Sequence, residues 1–316
     1  MIKLIPSALT AQKINLPKLT SHEVCNPSVI NLGKKLYVVY KGINYNLQND
    51  AYSKMQYGGF FVPFSDSQNY FAVIDPAKDL KIESIGFLED RHIRASQFAL
   101  NGLQDIRIFY WLDNIYALAA AITHNLSEES DIPVKQTSML LCNISGNTLN
   151  PISLFPSKQQ HEKNWMPWVR EENLFLIYHN DPYQILHYEK NSLSQIETKE
   201  VSSLKFQSGG SAVIPFGENF IGIVHQKNHG AIIDNNRNGL LMSYFHKVII
   251  FGPDFDILDT SPSFTFEGER IEFCCGIALL DDKNIILTYG VWDNQAIVAK
   301  ISTKEFLNIL SLDKWN

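Results

Sequence analysis

The stretch GKKLYVVYKG, residues 33–42, is a polar turn followed at once by a short apolar strand that closes on an aromatic residue and a lysine. Small and polar residues ahead of a β-branched and aromatic run are the composition of a strand entered from a tight turn. The arrangement returns four times, as LDNIYALAAAITHN from Leu112, EENLFLIYHND from Glu171, GENFIGIVHQ from Gly217 and DKNIILTYGVWDN from Asp282. The copies lie about 45 to about 80 residues apart, the spacing of a several-stranded unit repeated with loop insertions. Five such units predict an all-β fold, a five-bladed β-propeller. Its central channel gathers the ends of the inner strands, so repeats with a structural look deliver polar residues to one place.

Working outward from these copies, blade motifs fall near residues 26–42, 103–124, 161–181, 204–226 and 271–301. A single domain over 1–316 is expected, because in a propeller the repeat rather than one core sets the size. With 45% hydrophobic and 19% charged residues the composition is that of a folded chain. A net charge of −6 argues against nucleic acid or an anionic membrane as partner, since both require a basic surface. The opening MIKLIPSALTAQ lacks the apolar run of a signal peptide, and no stretch reaches the roughly 20 apolar residues needed to cross a bilayer. Cys25, Cys142, Cys274 and Cys275 show no metal-ligand spacing, and neither do the His and acidic residues; no metal is expected. The thiols are expected to be reduced and buried, which predicts a cytoplasmic protein.

Strands are predicted almost throughout, among them Leu36–Tyr40, Tyr70–Ile74, Ile106–Trp111, Ile115–Ile122, Leu174–Tyr178, Phe220–His225, Ile271–Leu280 and Ile285–Tyr289. Helical periodicity is scarce: SLDKWN supports one turn, and TKEFLNIL reads as a short helix or a closing strand. Asn44–Asp66, Asn125–Gln136 and Gln226–Leu240 are polar and read as long loops, which in a compact fold are commonly functional rims. The first, with Tyr45, Tyr52, Tyr57 and Phe60, either covers the channel or belongs to an unrelated interface, including one between copies of the chain.

Several motifs sit at strand ends. Asn26-Pro27-Ser28 opens the first unit, either as a plain turn or as part of a site, and Lys41 closes its strand. In the second, Asp105 and Arg107 alternate with Ile106 and Ile108; residues two apart share a strand face, so both charges point the same way and either pair or face a polar cavity. In the third, Lys163 and Asn164 precede Trp165 and Trp168, rings that belong either to a sugar platform or to the core. In the fourth, Lys205 precedes Gly209-Gly210, His225 ends the strand, and Tyr244 and His246 follow on one face. The fifth ends YGVWDN, with Asp293 just past its strand.

The order NPSV…VYKG, QDIRIF, EKNWMP, LKFQSGGSAVI…GIVHQ, YFH and FCCGIAL…TYGVWDN resembles glycoside hydrolase family 130, the five-bladed β-mannoside phosphorylases, mannosidases and related mannosyltransferases, from about Asn26 to Lys300. The resemblance implies Asp105 as general acid, although the family's Glu-Asp-Pro-Arg reads Gln104-Asp105-Ile106-Arg107 here. It implies a phosphate site of Lys163, in place of the family's Arg, with Asn164, Lys205, His225 and Tyr244. The implied sugar-binding residues are Asn26, Ser28, Lys41, Arg107, Trp165 and Asp293. No cofactor is implied beyond inorganic phosphate as co-substrate; the partner is an oligosaccharide or sugar phosphate.

The chemistry expected of such a set is inverting phosphorolysis of β-mannosides, or its reversal as transfer, with phosphate held by cations in place of a water activated by a second carboxylate. Two rivals remain at this level. A family 43-type hydrolase would use Asp105, Asp293 and one of Glu269 or Glu272, and a non-catalytic propeller would only bind a glycan or protein.

Overall fold

The computed structural model describes residues 1–44, 56–57, 60–61, 67–95, 102–127, 130–155, 162–234 and 237–316. The fold is all-β and propeller-like. Four sheets are four-stranded antiparallel meanders or their closed equivalent. The first runs Glu23–Leu32, Lys35–Ile43, Ser67–Asp75 and Lys81–Leu88; the second Leu103–Trp111, Asn114–Ser127, Ser130–Ser145 and Thr148–Leu154; the third Met166–Arg170, Asn173–Asn180, Tyr183–Glu189 and Ser192–Lys199. A fourth set is seven-stranded, built on the hairpin of Asn219–Asp234 and Arg237–Phe251. The last sheet joins Glu272–Leu279, Asn284–Val291 and Gln295–Ser302 to the N-terminal strand Gln12–Asn15, with Gln12 opposite Lys300. The expectation of equal units therefore meets one sheet of a different build.

The apolar runs that announced the repeat are buried on both faces. Along Lys35–Ile43, Leu36, Val38 and Tyr40 pack toward the last sheet with Ile286 and Val298, whereas Tyr37 and Val39 pack toward the second sheet with Ile106 and Ala117. Successive side chains point to opposite sides of a strand, so a strand between two neighbours reads as an unbroken apolar run. Each of the apolar clusters lies between two consecutive sheets, and one closes the last sheet on the first. Fully burying one Val, Leu or Ile stabilises by about 1.5–3 kcal/mol, so it is this repeated inter-sheet packing, and not a single core, that holds the ring together.

Two segments read as loops are corrected, and the alternative left open at TKEFLNIL is resolved. The polar segments Asn125–Gln136 and Gln226–Leu240 continue as paired strands, Asn125 opposite Val134 and Gln226 opposite Phe245, because hydrogen bonding within a hairpin does not depend on an apolar face. TKEFLNIL carries the helix Thr303–Ile309, and closure of the last sheet falls to Gln12–Asn15. Of Asn44–Asp66, the described parts are Asn44 and the two-residue strands Gln56–Tyr57 and Phe60–Phe61; Tyr45 and Tyr52 lie outside the described residues. All four cysteines are free and buried, as expected. Among the described residues no helix is long and apolar enough to cross a membrane.

Candidate functional site

The strands that begin each sheet meet around a common axis. Gly276 lies so close to the first sheet that a Cβ there would come within 2.6 Å of the Val29 amide nitrogen, and one on Gly209 within 2.0 Å of the Asn164 carbonyl oxygen. Near the axis the backbone breaks its register, between Cys25 and Ser28, opposite the Leu118–Ala120 step, and between Cys274 and Gly276. At these breaks Asn26 and Asp105 have φ of 50°, and Asn164, just before its strand, has φ of 65°. Apart from glycine, Asn and Asp are the types that enter this region at least cost, and a bulge re-aims the side chain it carries.

The bulge separates two residues that strand alternation would put side by side. Asp105 turns toward the first sheet, where its Oδ1 accepts from Lys41 Nζ at 2.7 Å and from Asn26 Nδ2 at 2.8 Å. Arg107 turns the other way: Nε donates to the Gly210 carbonyl at 2.6 Å, Nη2 to Asn164 Oδ1 at 3.1 Å, and Nη1 to the Asp105 carbonyl at 2.8 Å. Its guanidinium also lies 5.8 Å from the Phe273 ring centre. Arg107 thus ties three parts of the ring together and is fully buried.

Charge at Asp105 follows from these neighbours. Burial alone would raise its carboxyl, but the Lys41 ammonium and the hydrogen bonds from Lys41 and Asn26, with Arg107 beyond, outweigh it and hold the group well below the usual carboxylate range. The Lys41 side chain is 6% exposed and that of Asp105 19%, so the pair is shielded while the carboxylate keeps some contact with solvent. At neutral pH Asp105 is therefore ionised and can only accept hydrogen bonds.

Further cations stand ahead of the third sheet and on the long hairpin of the fourth. Lys163 is exposed and Asn164 half-buried, and both line a polar cleft of about 230 Å³ with His179, Asn180, Gln207 and Ser208. Lys227, which sequence reading missed, lies 5.9 Å from the Tyr244 ring centre. Partial burial and the nearby Lys163 charge lower its pKa, and Asp293 opposes that shift. Lys163, Lys227 and Asp293 therefore share one electrostatic neighbourhood. His225 belongs to it as well, 5.8 Å from Tyr244 and 4.8 Å edge-on from Phe273, centroid to centroid. Burial pushes the imidazole well down, aided by His246, Arg107 and Lys163, so it is neutral at pH 7 and is not the cation the sequence reading made it. Lys205 sits on an exposed turn with its Nζ 5.2 Å from the ring centre of Phe206, which lines the same cleft as Lys163.

The other expected site residues differ in burial. Ser28 is fully buried, its Oγ accepting from the Ile108 amide at 3.0 Å, and so joins the first sheet to the second. Trp165 is enclosed, stacked on Phe155 at 5.5 Å, and offers no open face to a sugar. Asn26 and Lys41 are buried beneath Asp105 and act on it directly. Asp293 is half-buried in the turn after Val291, with φ of 52°, and its charge is felt by Cys25, Cys275 and Lys227. Glu272 is fully buried and accepts backbone amides of Phe266, Glu267 and Glu269, while Glu269 accepts from Trp292 Nε1 at 2.8 Å. Glu272 is thereby committed to shaping a turn. Among the described residues no group of three or more His, Cys, Asp or Glu could hold a metal ion.

No family model matches the sequence. No curated protein matches it either. Solved structures do match. The chain is similar to a structure from the GH130 family of mannoside phosphorylases, which contains glycoside hydrolases that target β-1,2 mannosidic linkages in Candida mannan; identity is 12% over 90% of this chain and 85% of that one, with a TM-score of 0.58. A β-1,2-mannobiose phosphorylase from Listeria innocua, solved with β-1,2-mannobiose, is 12% identical over 96% of this chain and 99% of that one, with a TM-score of 0.59. A GDP-Man-dependent mannosyltransferase from Leishmania mexicana is 13% identical over 92% and 89%, with a TM-score of 0.56. The chain has the fold of these mannoside-active proteins along nearly its whole length.

Proposed function

We propose that the chain is a carbohydrate-active enzyme that moves a mannosyl unit between phosphate and a sugar hydroxyl, with inversion at the anomeric carbon. In this reading residues 1–316 form one domain, and the seven-stranded sheet is the fifth blade of a five-bladed propeller. The observation that supports it most is the shielded carboxylate Asp105 on Lys41, together with Lys163, Lys227 and Asp293, whose charges act on one another, Asp293 and Asp105 both acting on the Cys275 thiol. A carboxylate moves the proton of the glycosidic or acceptor oxygen, and ammonium groups hold phosphate and stabilise the charge it carries at the transition state. Asn164, Tyr244 and neutral His225 supply hydrogen bonds, and Asp293 accepts sugar hydroxyls. The fold shared with a mannobiose phosphorylase and a mannosyltransferase supports the choice of sugar.

Incubation with mannose 1-phosphate and a panel of acceptor sugars, following phosphate release, tests the reading. Release that depends on acceptor and yields a glycoside supports it. Cleavage of β-mannosides that proceeds undiminished without phosphate assigns water as the nucleophile, and ligand binding without any bond cleavage or transfer reduces the chain to a binding propeller.

A further inference from the structure

The unusual feature of the site is not the carboxylate but what stands behind it. Lys41 comes from the second strand of the first sheet, where it pairs in register with Cys25 and Asn69, and it reaches the axis through a break that leaves Asn26 in the left-handed region. Its ammonium is buried against Asp105, and Asn26 Nδ2 meets the same carboxylate oxygen, Oδ1. Both contacts are donors, so the arrangement is made for a carboxylate and would lose an ion pair on its protonation. Arg107 acts on it in the same sense, and Asp105 and Asp293 both act on the thiols of Cys25 and Cys275, which are buried and raised, hence neutral at pH 7.

We infer that Lys41 is a positioning residue whose ion pair makes Asp105 a proton acceptor, so that the resting site is set for transfer of a glycosyl unit from a sugar phosphate to an acceptor hydroxyl. This rests on the proposed function and gives it a direction. The acceptor oxygen forms its bond to the anomeric carbon and passes its proton to Asp105. The bond from that carbon to the phosphate oxygen breaks, and its electron pair leaves with the phosphate beside Lys163 and Lys227. Asp105 then returns the proton to the released phosphate or to solvent, so the net change is one proton moved from acceptor to phosphate. Phosphorolysis, the reverse, has to begin from a protonated Asp105, which the pair with Lys41 opposes.

The test is the pH dependence of phosphate release from mannose 1-phosphate and acceptor, for wild type, Lys41→Met and Lys41→Arg. Removing an adjacent opposite charge raises a carboxyl by about 1–3 units, so Lys41→Met gains an acid limb displaced upward by that amount, toward the ordinary Asp range, with transfer near pH 4 about twofold slower relative to its own rate near pH 8 while wild type stays flat over that range. Lys41→Arg restores the wild-type profile. A Lys41→Met profile that superimposes on wild type overturns the inference. If the wild type releases no phosphate, the functional reading fails first, and the ¹³C shift of the Asp105 carboxyl still decides the role of Lys41. Titration of that carboxyl within the ordinary Asp range in wild type, unchanged in Lys41→Met, contradicts the inference, and an upward move only in Lys41→Met upholds it.

Discussion

The same inner strands build two very different ends of the axis. Their leading ends carry Asn26, Asp105, Asn164 and Gly209, with left-handed backbone, broken register and polar side chains. Their trailing ends, Val29–Leu32, Ile108–Tyr110, Ala212–Pro215 and Ile277–Leu279, keep regular pairing or short turns and surround an apolar cavity of about 500 Å³. Sheet geometry does not distinguish the two ends, since Glu23–Leu32, Leu103–Trp111 and Glu272–Leu279 each run from one end to the other. What distinguishes them is where a bulge frees a side chain from strand alternation, and that placement assigns chemistry to one mouth and packing to the other.

Substitutions at the two ends should separate accordingly. Asp105→Asn has the largest predicted effect: turnover falls by about 10²–10⁴, the range for loss of a positioned proton-transfer group, with the fold retained. Steady-state rates alongside a circular dichroism melt check this, and unchanged turnover would erase the contrast between the ends.

Next is Lys41→Met, which leaves Asp105 charged and poorly matched in a shielded place. Breaking such a pair costs about 3–5 kcal/mol, read by denaturant unfolding at neutral pH. The sign with pH follows from a carboxyl lowered in the folded state. The pair's contribution is complete above the ordinary Asp range and disappears only as pH falls through the depressed folded value, so the difference between wild type and variant narrows in strong acid. A difference constant with pH would contradict the ion pair.

Lys227→Ala should weaken saturation by phosphate or sugar phosphate by about ten- to a hundredfold, the loss of one charge-assisted contact, with little change in stability. Because Lys163 shares the anion, the double variant should lose less than the product of the two single effects. At the other mouth, Ile30→Val should cost about 0.5–1.5 kcal/mol in unfolding and leave kinetics unchanged. A kinetic effect there as large as that of Lys227→Ala would show that the apolar mouth takes part in function.

How much of this could be read from the chain alone differs between the two ends. The apolar end is written plainly, since LYVVY and GIAL are continuous apolar runs of the kind that strands buried on both faces carry. At the polar end the residue types were legible but their directions were not. Alternation places Asp105 and Arg107 on one face, and a single bulge sends one to Lys41 and the other into the ring as a structural tie. Ser28 and Trp165 look like ligands in a motif and are buried because neighbouring sheets need the hydrogen bond and the ring. Lys227 was hidden in a polar run read as loop, although that run is a hairpin arm; a lysine two residues past His225 was the signal available.

The central claim is that Asp105, held as a carboxylate, accepts the acceptor's proton at the polar mouth. Phosphate release from mannose 1-phosphate and acceptor, followed from about pH 4 to about pH 8 in wild type and Asp105→Asn, tests it most directly. The account predicts transfer in wild type with no acid limb in the ordinary carboxylate range, and a loss of about 10²–10⁴ in Asp105→Asn at every pH. An acid-side maximum in wild type that decays as pH rises through the range of a normal Asp, or an Asp105→Asn variant as fast as wild type, would contradict it.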